Sequence, residues 1–222
     1  MPRIARVVVP QYPHHITQRG TNKLEIFIDN EDRHHFLKLL NELTNKTESE
    51  VGAYCLMDNH FHLLISPNSR DGLGQCLHGT TFRYAQYFNM KYSRSGRLWQ
   101  NRYFSCPIDK NEYYWAVVKY IEMNPVRAGI VKKPELWDWS SASEHIKGEH
   151  DGKINLHKWS KEDREQYMEL ILDEKNENNI RKATSTGRPL GGVNFFEKLR
   201  GILNRDLSRK KGGRPRNKKQ NQ

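Results

Sequence analysis

The stretch that determines the fold runs from Tyr54 to Ile65 and has the sequence YCLMDNHFHLLI. Within it, His60 and His62 are separated by a single residue and are flanked by apolar side chains. Side chains alternate between the two faces of a strand, so both imidazoles are expected on one face and Phe61 on the other, in a core. The stretch therefore predicts a central strand with a pair of histidines on one face.

The histidine pair has two interpretations on sequence alone. Short H-x-H motifs arise by chance, and such histidines can simply lie on the exposed face of an edge strand. The apolar flanks favour a central strand instead, where two half-buried imidazoles need a polar partner. A divalent metal ion held by His60 and His62 is the partner that we predict.

The composition indicates a globular protein of modest size. The chain has 222 residues, enough for one α+β domain with appendages. No apolar stretch approaches the ~20 residues of a membrane span and no secretion signal is recognisable, so we expect a soluble, cytoplasmic protein. The cysteines, Cys55, Cys76 and Cys106, are odd in number and lack C-x-x-C spacing, which argues against a disulfide framework or a zinc ribbon.

The positive charge is concentrated at the C-terminal end. The formal net charge is +11, and residues 181–222, with 13 basic and two acidic side chains, carry all of the excess. Such an arm predicts a polyanionic partner. It contains two Gly-Arg-Pro units that resemble AT-hooks, which bind the minor groove of DNA, although a solvated tail is the alternative. The predicted DNA contacts in the arm are Arg188, Arg214 and Arg216.

A second basic segment lies between Asp71 and Asp109, where the sequence has no acidic residue and basic side chains alternate with aromatic ones. Basic groups neutralise phosphates, and aromatic faces stack on unpaired bases at about 1–3 kcal/mol each, so the pattern is typical of a surface for single-stranded nucleic acid. The alternative is an amphipathic helix whose aromatics pack in a core. The predicted DNA contacts here are Arg83, Arg97, Trp99, Arg102 and Tyr103.

A helix is expected from about residue 111 to Met123, where Pro125 ends it. Tyr120 and Asn124 are four residues apart and can share a face of this helix. An amide oxygen is a possible ligand for a hard divalent cation, and a tyrosine beside such a cation is a potential nucleophile. On periodicity alone, Tyr120 could equally be a packing residue.

Several segments, taken together and in their order along the chain, resemble the motifs of a known family. They are HHITQRG at 14–20, HFH at 60–62, LWQNRY at 98–103 and YIEMNPVRAGIV at 120–131. Together they resemble the single-tyrosine HUH transposases of the IS200 type, above all the REP-associated tyrosine transposases. The resemblance extends over residues 4 to 145 or so, with the motifs in the same order.

The resemblance implies an α+β fold: a ferredoxin-like core whose antiparallel sheet carries the HUH motif, with flanking helices. It implies that His60, His62 and Asn124 bind Mg²⁺ or Mn²⁺ and that Tyr120 is the nucleophile. The implied activity is metal-dependent cutting and rejoining of single-stranded DNA near REP-like hairpins through a 5′-phosphotyrosine intermediate. A phenol with a pKa near ~10 needs activation for this step, and no general base is identifiable from the sequence.

The resemblance also organises the remaining predictions. We divide the chain into a catalytic domain at 1–145, a polar helical extension at 146–180 and a basic DNA-contacting arm at 181–222. Arg19 and Arg127 lie within the matching motifs and join the predicted DNA contacts. The expected partners are single-stranded and hairpin DNA with REP-like palindromes, no membrane is expected, and the protein is expected to act as a monomer or homodimer.

Two other functions stay open at this point. The protein could bind hairpin DNA and act by occupancy, without cleavage. It could also be a metal-independent phosphoesterase with paired H-x-T motifs, because residues 15–17 and 78–80 have that spacing. The phosphoesterase hypothesis leaves His60, His62 and Asn124 without a role.

Overall fold

The centre of the protein is one antiparallel sheet. The computed structural model describes residues 6–171 and 178–204. The strands are β1 (His14–Arg19), β2 (Glu50–Met57), β3 (His60–Ser66) and β4 (Phe104–Pro107). Their order in the sheet is β2-β3-β1-β4. Strand β3 is an inner strand, which confirms the prediction that the paired histidines lie on a central strand.

Helices cover both faces of this sheet and confirm the predicted α+β class. Phe61 lies in a core that α1 and α2 close from one side, whereas Leu64 lies in a second core with side chains of α3 and α7. The helices in the described part of the chain are α1 (Asn30–Lys46), α2 (Gly72–Lys91), α3 (Tyr114–Glu122), α4 (Asn124–Arg127), α5 (Ala142–Lys147), α6 (Lys161–Ile171), α7 (Asn178–Thr186) and α8 (Val193–Leu203). None of them is long and apolar enough to cross a membrane.

The turn that precedes the histidines is held from two sides. Asp58 forms an ion pair with Arg33 of α1, and its carbonyl accepts hydrogen bonds from the backbone N–H groups of Ile26 and Phe27. The carbonyl of the next residue, Asn59, accepts from the backbone N–H of Gly20, directly after β1. These contacts tie the start of β3 to α1 and to the end of β1.

The helix with the tyrosine ends as predicted, before Pro125. Helix α3 ends at Glu122, within one residue of the predicted end at Met123, and a separate short helix, α4, begins two residues later with Pro125 near its first position. The first turn of a helix tolerates proline, because the N–H groups there have no partner within the helix. Tyr120 and Asn124 thus lie on either side of a break between two helices.

The extension after residue 132 adds to the open edge of β2. Trp139 accepts a backbone hydrogen bond from Leu56, and the Ser141 backbone N–H donates to the Tyr54 carbonyl. Further along, Tyr167 of α6 is fully buried in the core that contains α3. The extension thereby covers the exposed edge of the sheet and part of its second face.

The first part of the predicted basic arm belongs to this folded body. Helix α7 crosses the predicted boundary at residue 181 and packs beside β4, with Ala183 buried in the second core. Gly187, with φ of +67°, ends the helix, and Leu190 then pairs with Ile108 next to β4. The first Gly-Arg-Pro unit is therefore a structured connection, whereas the second lies outside the described residues.

A buried carboxylate joins the extension to α3. Glu122 is fully buried and its two oxygens accept hydrogen bonds from Ser141 Oγ at 2.5 Å, His145 Nδ1 at 2.6 Å and Tyr167 Oη at 2.5 Å. We expect Tyr167→Phe to lower the free energy of unfolding by about 1.5–3 kcal/mol, because a buried carboxylate loses one donor. Urea denaturation followed by circular dichroism measures this change.

Tyr113→Phe is the matched control. It also deletes one phenolic oxygen, from a half-buried ring at the start of α3. Since that hydroxyl makes no hydrogen bond among the described residues, we expect a change below about 0.5 kcal/mol. Equal destabilisation by both variants would show that the bond to Glu122 contributes nothing specific.

Candidate active site

His60 and His62, the two histidines of the predicted metal site, lie on the sheet face that α3 and α7 cover. Their ring centroids are 5.1 Å apart, with an interplanar angle of 79°. His62 is buried and His60 is half-buried, while Phe61 between them is fully buried on the opposite face. The alternation expected from the sequence is therefore present.

Helix α3 places Tyr120 against this histidine face. Its ring centroid lies 5.7 Å from that of His62 and 5.4 Å from that of His15, with an edge-on arrangement in both cases. The tyrosine is half-buried. Tyr120 and the histidine pair are 58 or more residues apart in sequence, so the fold brings two independent sequence motifs together.

The break between α3 and α4 is organised around Tyr120. Asn124 donates its amide Nδ2 protons to the carbonyls of Tyr120 and Ile121, each at 3.0 Å. Arg127 donates from Nη2 to the Tyr120 carbonyl at 2.5 Å, and its guanidinium lies 4.4 Å from the centre of the Tyr120 ring. Since both amide protons of Asn124 are used, its Oδ1 atom is the group left to accept a ligand.

His15 is a member of this site that the sequence did not identify. Its Nε2 atom is 2.9 Å from His62 Nδ1, and its Nδ1 atom is 2.6 Å from Oγ1 of Thr184 in α7. Alternation along β1 puts His15 and Thr17 on one face, and the pairing of Thr17 with His62 makes this the histidine face. The HHITQRG segment drew attention to His15 in the sequence, but only the pairing of β1 with β3 places it beside His62.

Burial keeps the imidazoles of the site neutral. The pKa of His62 lies well below 6.5, chiefly because of burial and further because of the positive charges that His15, His60 and Arg127 can carry. Burial lowers the pKa of His60 to about 4, with Arg19 as the next cause, and that of His15 to about 3. Neutral imidazole is the form that binds a metal ion.

The donor atoms fit a divalent cation that retains water. His60 Nδ1 is 2.7 Å from Asn59 Oδ1, which leaves Nε2 for a metal ion. In residues 6–171 and 178–204, no three His, Cys, Asp or Glu side chains converge on one metal position. Imidazole nitrogens together with an amide oxygen, such as Asn124 would supply, are a mixed N/O set of the kind that suits Mn²⁺, or a Mg²⁺ ion that keeps several waters and takes phosphate oxygens.

Three predicted DNA contacts lie on one exposed surface beside His60. The loop at residues 97–102 is joined to the end of β1 by hydrogen bonds from Thr21 N to Leu98 O and from Gln100 N to Arg19 O. Arg19 is itself the pairing partner of His60 across the sheet. The exposed arginines at the end of β1 and in the loop joined to it are Arg19, Arg97 and Arg102.

The other arginines of the predicted set are placed differently. Arg83 is exposed but pairs with Glu42 at 2.6 Å between α2 and α1, on the side of the sheet away from the histidines. The structure therefore does not bring Arg83 to the site. Arg188 is exposed just after α7, and Arg214 and Arg216 lie outside the described residues.

The two aromatic residues of the predicted DNA surface are engaged in packing. Trp99 donates its indole N–H to the Thr81 carbonyl at 2.9 Å and packs edge-on against Phe61. Tyr103 is only 8% exposed, and the Arg6 guanidinium lies 3.6 Å from the centre of its ring. Both rings therefore pack against the protein, which leaves little of their surface for stacking on DNA bases.

The structure rules out the pairing of two H-x-T motifs. Residues 78–80 lie in α2, where the Thr80 hydroxyl donates to the Cys76 carbonyl and His78 packs on Phe82. Helix α2 covers the sheet face opposite to His15. The metal-independent phosphoesterase hypothesis is wrong, because its two motifs do not meet at one site.

Comparison with known proteins identifies the family of the chain. The family model described as "Transposase IS200 like" matches residues 8–124, a segment that includes the histidine pair, Tyr120 and Asn124. The chain belongs to the IS200-like transposase family. No curated protein matches the chain.

Two solved structures are similar to the chain. A REP-associated tyrosine transposase bound to a REP hairpin has a TM-score of 0.57 and 18% identity, covering 72% of this chain and 96% of that one. This likeness shows the shared fold. A candidate transposase from Deinococcus radiodurans R1 has a TM-score of 0.38 and 16% identity, covering 54% of this chain and 94% of its own.

Burial of His14, next to the site, makes the stability of the fold depend on pH. Its Nδ1 donates to the Tyr12 carbonyl, its Nε2 accepts from the Val9 backbone N–H, and burial lowers its pKa from 6.5 to about 4. Between these pKa values the unfolded chain binds more protons, so the free energy of unfolding falls as the pH drops. His14 alone should remove about 2 kcal/mol between pH 7 and pH 5.

Urea denaturation at several pH values measures this effect. His14→Gln should make the free energy of unfolding less dependent on pH, whatever its effect at pH 7. His78→Gln, which removes an exposed imidazole on α2, is the control and should leave the pH dependence unchanged. Equal free energies of unfolding at both pH values in the unmodified protein would contradict the buried, neutral state of His14.

Proposed function

We propose that this protein is a metal-dependent endonuclease and strand transferase that cuts single-stranded DNA near REP-like hairpins through a 5′-phosphotyrosine intermediate. The observation that carries the proposal is the position of the Tyr120 ring, edge-on to His62 at 5.7 Å between centroids. A nucleophile at this distance from His62 can act on a phosphate that lies between the tyrosine and the histidine face.

The roles of the residues follow from their positions. His60, His62 and Asn124 would hold Mg²⁺ or Mn²⁺, which supplies charge that polarises the scissile phosphate. The Tyr120 hydroxyl loses its proton and its oxygen forms a bond to phosphorus while the bond from phosphorus to the 3′-oxygen breaks. The leaving 3′-oxygen takes up one proton, so the net proton transfer is from the phenol to the new 3′-hydroxyl. Attack by another 3′-hydroxyl reverses these steps and joins strands without a nucleotide cofactor.

Arg127 supports this chemistry from the tyrosine side. Its guanidinium lies over the Tyr120 ring at 4.4 Å, so positive charge is close to the phenol and to the phosphate that the phenol attacks. Such fixed charge stabilises the negative charge of a phosphoryl-transfer transition state. We therefore assign Arg127 to the reacting phosphate and the nucleophile together.

The DNA strand is proposed to enter along the arginines beside His60. Arg19, Arg97 and Arg102 are exposed on one connected surface, and contacts to phosphates position a strand without reading its sequence. The related transposase of similar fold was solved with a REP hairpin, which makes hairpin DNA the first substrate to test. Arg188 and the basic residues after Asn204 would add further phosphate contacts.

The position of Tyr120 also supports a monomer with a complete site. Its ring lies against His15 and His62 of its own chain, so no exchange of α3 with a second subunit is needed. A homodimer that uses each tyrosine within its own subunit is equally compatible with this arrangement. We propose that cleavage occurs in cis in either case.

The decisive experiment uses a labelled single-stranded hairpin DNA with Mn²⁺ or EDTA. The full chain should yield a protein–DNA product that survives SDS with Mn²⁺ and is absent with EDTA. Tyr120→Phe should bind the hairpin within about twofold of the unmodified affinity but lose the covalent product, because only the nucleophilic oxygen is removed. Tyr113→Phe, which removes a phenolic oxygen directly before α3, should retain it.

The outcomes separate the two functions that stay open. A covalent product in Tyr120→Phe would disprove the assignment of the nucleophile. Tight hairpin binding without any covalent product in the unmodified protein, across a library of hairpins and flanking sequences, would favour a protein that acts by occupancy of DNA.

A second prediction concerns the residues after Asn204. Residues 205–222 contain eight Lys or Arg and one acidic residue. If these cations contact phosphates, removal of the segment should reduce the slope of log affinity against log salt concentration by about 2 or more. Filter binding at several salt concentrations measures the slope. An unchanged slope would show that the segment does not contact DNA.

A further inference from the structure

We infer that Thr184 and His15 are positioning residues that hold the His62 ring in the tautomer that a metal ion requires. The inference deepens the proposed function and rests on it, because it explains how the proposed ligand His62 presents its free nitrogen. It also gives a task in the active site to α7, which lies outside the residues that the family model matches.

The argument begins at the hydroxyl of Thr184. Its Oγ1 donates to the carbonyl of Ile180, one helical turn earlier, at 2.9 Å. A hydroxyl has a single proton to donate, so its oxygen can only accept from other neighbours. His15 Nδ1 lies 2.6 Å from this oxygen. The Nδ1 atom of His15 therefore carries a proton and donates it to Thr184.

The proton on His15 then determines the proton on His62. A neutral imidazole has one N–H group, so His15 Nε2 is a bare acceptor when Nδ1 is protonated. His62 Nδ1 is 2.9 Å from His15 Nε2 and must donate to it. This leaves Nε2 of His62 with its lone pair. The opposite direction of donation would protonate His62 Nε2 and prevent it from binding a metal ion.

Burial limits the alternative hydrogen-bond partners of this Thr184–His15–His62 relay. His15 is 1% exposed, Thr184 3% and His62 6%, so water has little access to supply alternative partners. Another polar neighbour of Thr184 in the described part of the chain is Cys106 Sγ, 3.5 Å from Thr184 Oγ1, and a thiol donor at that position leaves the hydroxyl oxygen an acceptor. Partners behind a metal-binding histidine commonly change metal affinity by 10–100-fold when they are removed.

The test combines histidine tautomers with binding of Mn²⁺ alone. Long-range ¹H–¹⁵N NMR of the metal-free full chain with labelled histidine should show His62 as the Nδ1–H tautomer. Thr184→Val keeps the shape of the side chain but removes the acceptor, so His62 should populate both tautomers and Mn²⁺ should bind about tenfold more weakly. Thr184→Ser should restore both properties.

Thr186→Val is the matched control on the same helix. Its hydroxyl is exposed and donates to Lys182, so the tautomer of His62 and the Mn²⁺ affinity should stay unchanged. Circular dichroism confirms that each variant is folded. Wild-type tautomer and affinity in folded Thr184→Val would overturn the inference.

The unmodified protein alone can also refute the relay. A His62 ring with its proton on Nε2 would overturn the inference even if the valine variant fails to fold. The result is separable from the test of cleavage: an Nδ1–H tautomer with weakened Mn²⁺ binding in Thr184→Val, but no covalent DNA product in any protein, would remove the proposed function and leave the relay as a property of the metal site.

Discussion

The antiparallel pairing of β1 with β3 is the constraint on which the site depends. It places Thr17 opposite His62 and Arg19 opposite His60, and thereby brings His15 diagonally next to His62. A slip of this pairing by one residue would turn His15 to the opposite face, because side chains alternate along a strand. The backbone hydrogen bonds of an inner strand thus determine the geometry of the site before any side chain does.

The two faces of the sheet differ in character because different helices pack against them. The face with Phe61 is closed by α1 and α2 and contains apolar and aromatic side chains. On the other face, α3 and α7 enclose His15 and His62 beside an apolar core. Burial there disfavours the charged form of the imidazoles, so the same packing that stabilises the sheet also prepares neutral donor atoms.

Features confined to one element were predictable from the sequence, whereas contacts between distant elements were not. The strand with His60 and His62 follows from alternation over a few residues, and its central place from the apolar flanks. His15 contacts His62 and Thr184, which are 47 and 169 positions away in the sequence, and the local periodicity of side chains cannot predict contacts over such separations. Trp99 shows the same limit. The basic and aromatic residues around it suggested a DNA contact, but the fold packs its ring against Phe61.

The C-terminal extension contacts the proposed site at two places, near Tyr120 and near His15. Glu122 lies two residues after Tyr120 and binds Ser141, His145 and Tyr167 of the extension, which anchors the helix that carries the proposed nucleophile. At the other end, Thr184 reaches the histidines through α7. A catalytic group that must be held within fractions of an ångström needs supporting residues behind it. The extension therefore supports the proposed active site at two points, through Glu122 behind Tyr120 and through Thr184 behind the histidines.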